Sequence, residues 1–115
     1  MAIQIPQTLV TASVTPYRAA THIKVSETVR KLCGNRGYTR GYMGRRLNGC
    51  TSYIAYNFNI TGKDGQVGHF SALHREGGKF TLCSRSFNSD LLFMNPGLTL
   101  EQCVAQALEN VDSVA

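Results

Sequence analysis

The sequence predicts an α+β fold, in which an antiparallel sheet of three to five strands packs against one C-terminal amphipathic helix, with a short helix near residues 26–33. Three observations support this class: apolar residues alternate with a period of two after residue 51, two turn motifs follow, and a capped amphipathic segment closes the chain. A chain of 115 residues with 43% hydrophobic residues can bury one core. A single domain over residues 1–115 is therefore expected.

The first third of the chain predicts two extended pieces and one short helix. Residues 8–15 are rich in Val and Thr, which favours a strand ending at Pro16. Residues 21–25 are expected to be extended, and Ser26 can cap the helix that follows. Gly34 can end that helix in a left-handed conformation. The apolar positions of the helix are Val29, Leu32 and Cys33.

The region from about 51 to 85 predicts a three-stranded meander. Alternation divides its first strand into an apolar face and a more polar face. The apolar face holds Ile54, Tyr56, Phe58 and Ile60, and the other face holds Tyr53, Ala55, Asn57 and Asn59. Asp64-Gly65 is turn chemistry, so residues 66–74 are expected to return as the second strand. A second turn at 75–78 leads to a third strand at 79–84, with Phe80 and Leu82 facing inward.

The C-terminal segment predicts the clearest helix. After a turn at 95–97, Thr99 can cap the first turn and Gln102 occupies the capping-box position. An apolar stripe with helical spacing follows, and its polar opposite side suits water. The stripe is formed by Leu100, Val104, Ala107, Leu108 and Val111. We expect this stripe to pack on the sheet.

Positive charge is concentrated near the middle of the chain. Eight of the twelve Lys and Arg residues lie between Arg18 and Arg46, and Glu27 is the single acid in that stretch. Residues 34–49 are also rich in glycine, which favours a loop over a regular element. The sequence therefore predicts a basic, glycine-rich loop at about 34–49.

This basic segment is the best candidate for a binding site. Arginine side chains can form bidentate hydrogen bonds to phosphate or carboxylate, lysine adds a point charge, and tyrosine rings can stack on exposed bases. The candidate residues are Lys31, Arg36, Tyr38, Arg40, Tyr42, Arg45 and Arg46. Glycines between them would let the segment follow a nucleic-acid backbone at low steric cost.

The leading hypothesis is a small non-enzymatic module that binds nucleic acid mainly through phosphates, with DNA and RNA both open. The alternative is a protein-binding accessory or inhibitor, of the kind found in phages and mobile elements, that docks a basic face on an acidic surface of a larger protein. A homodimer is also open, because the strand at 8–15 or the last strand would be a sheet edge.

Catalytic and metal signatures are weaker. The nearest metal cluster is Cys50, His69, His74 and Cys83, but it contains no Cys-x-x-Cys pair, and the two histidines would point to opposite faces of one strand. We therefore expect no metal, no cofactor and no catalytic residue. With no signal-like N-terminus and no apolar run of membrane length, a cytoplasmic location and buried, reduced thiols are expected.

Overall fold

A computed structural model describes the backbone of residues 6–47, 51–75, 77–88 and 90–113. Side chains are described in the same ranges except at 6–18, 45–47 and 51–52. Two α-helices and one 3-10 turn flank five strands, which confirms the predicted α+β class. The elements are α1 (Pro6–Cys33), η1 (Gly34–Arg36), β1 (Gly37–Leu47), β2 (Thr51–Thr61), β3 (Val67–His74), β4 (Phe80–Arg85), β5 (Leu91–Leu98) and α2 (Leu100–Asp112).

The five strands form one antiparallel meander in the order β1-β2-β3-β4-β5. The predicted meander is confirmed in its three central strands, β2 to β4. Gly65 has a φ of +94° in the β2–β3 turn and Gly77 has a φ of +80° in the β3–β4 turn, conformations that glycine adopts without steric cost. These two turns fix the register that places Phe58 opposite Phe70.

Both helices pack on one face of the sheet, which we call the helix-covered face. The predicted alternation in β2 is confirmed, since Tyr56, Phe58 and Ile60 have no exposed surface. From the helices, Val25 and Val104 join the same core at 0% exposure. Within the described residues no helix or strand packs on the opposite face, which we call the open face.

Helix α2 begins as predicted. The Thr99 hydroxyl accepts a hydrogen bond from the Gln102 backbone N–H at 3.1 Å, and the Gln102 side chain accepts from the Thr99 N–H at 2.8 Å. This reciprocal capping box satisfies two N–H groups that the first helical turn leaves without partners. Of the predicted stripe, Val104, Ala107 and Val111 are buried.

The predictions for the N-terminal third are wrong in extent. Residues 8–15 and 21–25 are not extended, and Ser26 does not begin a helix, because all of them belong to the single helix α1. The strand preference of Val and Thr is worth about 1 kcal/mol at most, so context overrides it. The predicted end is right: α1 stops at Cys33, and Gly34 follows with a φ of +60°.

The predicted loop at 34–49 is also wrong, because residues 37–47 form the edge strand β1. Its glycines have other uses. A Cβ on Gly37 would lie 2.4 Å from Val29 Cγ1, so glycine is needed for α1 to approach the strand. Gly41, with a φ of +132°, lies at a bulge where the pairing with β2 shifts after Thr39. Residues 48–49 lie outside the described residues.

The predicted turn at 95–97 lies inside the other edge strand, β5, which is a second correction of the same kind. Pairing with β4 shifts between Phe80 and Leu82, so three β5 residues span the distance of two on β4. Gly97, with a φ of +75°, lies in this irregularity. An edge strand tolerates Pro96 because one side of its backbone needs no partner.

Candidate nucleic-acid interface

The open face is built by the strand positions that alternate with the core. Residues paired across antiparallel strands project to the same side, so the register assigns each side chain to a face. Tyr38 lies opposite Asn59, Asn59 opposite His69, and His69 opposite Arg85. These four residues form one line across β1, β2, β3 and β4, which we call the planar row. All four carry a flat polar or aromatic group.

Hydrogen bonds orient the middle of the planar row. His69 Nδ1 lies 3.2 Å from Asn59 Oδ1, and since an amide oxygen can only accept, the imidazole carries a hydrogen on Nδ1. In the next row, the Ser71 hydroxyl donates to Asn57 Oδ1 at 2.6 Å. Both amide oxygens are thereby engaged. The two amide NH₂ groups are left as the hydrogen-bond donors that the asparagines present.

Exposed aromatic rings stand at both ends of the planar row. Tyr38 is 65% exposed at the β1 end. Phe87, which follows β4, is 89% exposed, and its ring lies 6.4 Å from the ring of His69. A large ring that remains in water contributes little to the core, so these two positions are suited to stacking on a ligand.

Carboxylates are placed away from the open face. Among the described residues, Glu27 lies on α1, and Glu101, Glu109 and Asp112 lie at or near α2 on the helix-covered side. Asp64 and Asp90 lie in the β2–β3 and β4–β5 turns. Arg85 belongs to the planar row itself. The described strand positions of the open face therefore carry positive charge and no acid.

The predicted site residues are divided between the two sides of the sheet. Tyr38 lies on the open face, and Arg40 is exposed at the β1 bulge, where it has no partner on β2 and the pairing does not assign it to a face. Lys31 is exposed but belongs to α1, on the other side. Tyr42 is paired with Tyr56 and so faces the helices, where its ring lies 4.9 Å from that of His22.

Arg36 is engaged within the protein itself. Its Nε donates to the Thr61 carbonyl oxygen at 2.9 Å, and its Nη2 forms an ion pair with the Asp112 carboxylate. The guanidinium thus ties η1 to the end of β2 and to the C-terminus of α2, where a cation is favoured by the helix dipole. Arg36 therefore joins elements of the fold, and its assignment to the binding site stays a prediction.

Arg45 and Arg46 belong to β1 by their backbone and are paired with Tyr53 and Ser52. Their side chains lie outside the described residues. In the described part of the protein, the pairing therefore places one residue of the predicted set, Tyr38, on the open face, and Arg40 lies at the neighbouring bulge. The sequence prediction missed Asn59, His69, Arg85 and Phe87, although the alternation in β2 already separated Asn59 from the core.

The three described thiols, Cys33, Cys83 and Cys103, are buried, and in each of them burial raises the pKa. Burial raises the pKa of Cys103 to about 12 and raises the pKa of Cys33 and of Cys83 above the ordinary value. Among the residues that the structure describes, no group of three or more His, Cys, Asp and Glu side chains could hold a metal ion, while Cys50 of the weighed cluster lies outside them.

Comparison with protein-family models, with curated proteins and with solved structures finds no match for this chain. In the described ranges, neither helix has both the length and the apolar character needed to cross a membrane.

Proposed function

We propose that this protein is a binding module for single-stranded nucleic acid and that the strand lies across the open face of the sheet. The planar row, flanked by exposed rings at both ends, is the observation that carries the proposal. Aromatic and planar side chains on a sheet can stack on successive bases, while cations beside them contact phosphates. Bases of a duplex are already stacked inside the helix, so a flat aromatic face suits a single strand better.

Charge placement supports the same partner. Arg85 lies on the open face and the exposed Arg40 lies on the edge strand β1, whereas the described carboxylates lie on the helices or in turns. A polyanion would therefore meet cations along the strands, with the described carboxylates at the turns and on the helices. The NH₂ groups of Asn57 and Asn59 add neutral donors that can reach base edges or phosphate oxygens.

The test is fluorescence anisotropy with labelled 12-mers of single-stranded DNA and RNA and a 12-base-pair duplex, measured at several salt concentrations. Tyr38→Ala should weaken single-strand binding roughly 5- to 150-fold through the loss of one stacking interaction. Arg40→Ala should also weaken it and should make the salt slope less steep by about 0.7. Lys31→Ala is the matched control, because it removes one charge on the helix-covered side.

The proposal is contradicted if Tyr38→Ala and Arg40→Ala bind all three probes like the unchanged protein. It is also contradicted if the duplex binds more tightly than both single strands and Lys31→Ala has the larger effect.

A protein partner is the second candidate, and apolar exposure on β5 favours it. Leu91, Leu92 and Met94 are 51%, 61% and 47% exposed, and Leu92 lines the same surface depression as Phe87. Such a patch on one edge suits contact with another protein, whose acidic surface could meet Arg40 and Arg85. A pull-down from nuclease-treated lysate separates the two candidates: a stoichiometric protein that survives nuclease supports this one, and recovery of nucleic acid alone supports the first.

A homodimer stays a prediction. The sheet edges are β1 and β5, so the expected edge at residues 8–15 is replaced by β1. Sedimentation at several concentrations tests self-association, and a mass of one chain at every concentration would exclude it.

A further inference from the structure

A depression of about 640 Å³ opens on the open face beside the planar row. Tyr53, Leu73 and Met94 form its apolar wall, and Cys83 lies at its base. Arg85 borders the depression and also belongs to the planar row. The volume falls in the range of about 300 to 1,000 Å³ that is common for small-ligand sites.

The depression lies where small and large side chains of the open face meet: Cys83 lines it, and the small residues Ser71 and Ala55 are paired with its lining residues Cys83 and Leu73. Ser71 and Cys83 are paired across β3 and β4 and are 6% and 1% exposed, so they lie low between larger neighbours. Ala55, on β2, is likewise small and 5% exposed. Met94, paired with Cys83 on β5, is 47% exposed and rises above them. Small residues in the centre and large ones around them leave a shallow site with an apolar, polarisable surface.

Cations surround this depression. Arg75 and Lys79 lie in the β3–β4 turn, are exposed, and line it from one end, while Arg85 lines it from the other. No described lining residue is acidic, and Glu76 lies outside the described residues. Because burial raises the pKa of Cys83, the thiol at the base stays neutral near pH 7 and does not repel an anion.

An apolar, aromatic-walled site with a cationic rim matches a planar ring that carries a phosphate. From this combination we infer that the depression is a subsite for one nucleotide, with the base against Tyr53, Leu73 and Met94 and the phosphate near Arg75 and Lys79. The inference rests on the proposed function and deepens it, because it places one nucleotide of the bound strand next to the planar row. Stacking on Tyr53 and contact with the Met94 thioether would hold the base without selecting its sequence.

The test is NMR titration of the ¹⁵N-labelled full chain with AMP, UMP, adenosine and inorganic phosphate at low salt. AMP should shift the amide signals of Leu73, Thr81 and Cys83 and should bind several-fold more tightly than adenosine or phosphate. Thr81 lines the depression opposite Leu73, so the ring introduced by Thr81→Tyr should fill it. That variant should bind AMP at least ten-fold more weakly, whereas the similarly sized Thr81→Val should bind it like the unchanged protein.

The inference is overturned if AMP shifts signals elsewhere, if Thr81→Tyr binds AMP like Thr81→Val, or if inorganic phosphate gives the same shifts with the same affinity. Signals from α1 and α2 in each variant report whether the fold is intact. Failure of this inference differs from failure of the proposed function. If 12-mers bind through Tyr38 and AMP does not enter the depression, only the subsite is wrong. If AMP enters and no 12-mer binds, the subsite stands and the proposed strand-binding function is wrong.

Discussion

The two faces of the sheet are made by the same strands and have opposite chemistry. On the helix-covered face, Phe58, Phe70 and Leu82 are at most 1% exposed and pack beneath α1 and α2. On the open face, the positions between them carry Asn57, Asn59 and the rest of the planar row, with the apolar residues Leu73 and Met94 confined to the depression beside it. The difference shows that one face is sufficient to hold the fold together, because a sheet needs a single apolar face to bury.

Folding therefore does not account for the composition of the open face. Solubility alone would be served by mixed charges of both signs, yet the described carboxylates lie on the helices and in turns. The rings of Tyr38 and Phe87 are 65% and 89% exposed and contribute little to the core, so the fold does not require a ring at either position. The contrast between the faces is the reason for assigning stability to one and binding to the other.

The largest expected effect is on stability. Phe58→Ala removes a ring with no exposed surface, which stacks on Phe70 at a centroid distance of 5.6 Å. Chemical denaturation should show a loss of about 3–5 kcal/mol in the free energy of unfolding. Tyr38→Ala removes a ring of similar size from the open face and should cost less than about 1 kcal/mol. Equal losses for the two variants would contradict the division between the faces.

The second effect concerns Arg36, which contacts the end of β2 and the end of α2 and so stabilises the fold. Arg36→Met removes the contacts to Asp112 and to the Thr61 carbonyl while keeping the length of the side chain. Denaturation should show a loss of about 1–3 kcal/mol, because two hydrogen bonds to a charged group disappear. Affinity for a single-stranded 12-mer should change less than two-fold at a temperature where the variant is folded.

Lys31→Met is the matched control for Arg36, since it removes an exposed cation from α1 and should change stability by less than about 0.5 kcal/mol. Unchanged stability in Arg36→Met together with a large loss of affinity would return Arg36 to the binding site.

The third effect is the pH dependence of the core under the helix-covered face. The Cys103 thiol titrates with a pKa of about 12 in the folded protein and near 9.0 when exposed. Between pH 9 and pH 12 the thiol is ionised in the unfolded state and still protonated in the folded state. The free energy of unfolding therefore keeps its full value below pH 9 and falls as the pH rises toward 12. In this range the free energy of unfolding of the unchanged protein should fall more steeply than that of Cys103→Ala, by up to about 1.4 kcal/mol per pH unit. Parallel stability curves for the two proteins from pH 8 to 10.5 would contradict the burial of this thiol.

The smallest effect concerns the charge of the open face. Asn57→Asp places a carboxylate among groups that are otherwise neutral or cationic, and repulsion of about 1 kcal/mol should weaken 12-mer binding roughly five-fold. Gln106→Glu makes the same change in charge on α2, in a depression that contains no planar-row residue, and should alter affinity less than two-fold. The contrast is measured by anisotropy at low salt, and it should shrink as salt is added. Similar losses in both variants would show that net charge matters and position does not.

The central meander and α2 could be predicted because their signals are local. Alternation along β2 and the Thr99 capping box each specify one structure over a few residues. The N-terminal helix could not be predicted from residues 8–15, because their β-branched side chains favour a strand. That preference is weak and depends on context, and in this protein the segment is helical. The glycines of β1 suggest a loop when the sequence is considered alone. Gly37 is needed because α1 packs against the strand there and Val29 leaves no room for a Cβ, and that contact forms only in the folded protein.

The candidate site could be predicted only in part, for a related reason. Clustering in sequence suggested that seven residues act together, but a strand sends neighbours to opposite faces and a helix lies on one side only. Tyr42 lies on the helix-covered face, and Arg36 forms an ion pair with Asp112, which is 76 positions later in the sequence. The planar row combines residues from four strands, so its existence depends on register, which sequence spacing alone does not give.

The most direct test of the central claim is an NMR map of the surface that contacts a single-stranded 8-mer on the ¹⁵N-labelled chain. We expect the shifted and line-broadened amide signals to lie at Tyr38, Asn59, His69 and Arg85, with α1 and α2 unaffected. Perturbations concentrated on α1 or α2, with the planar row unchanged at saturating 8-mer, would contradict the assignment of binding to the open face.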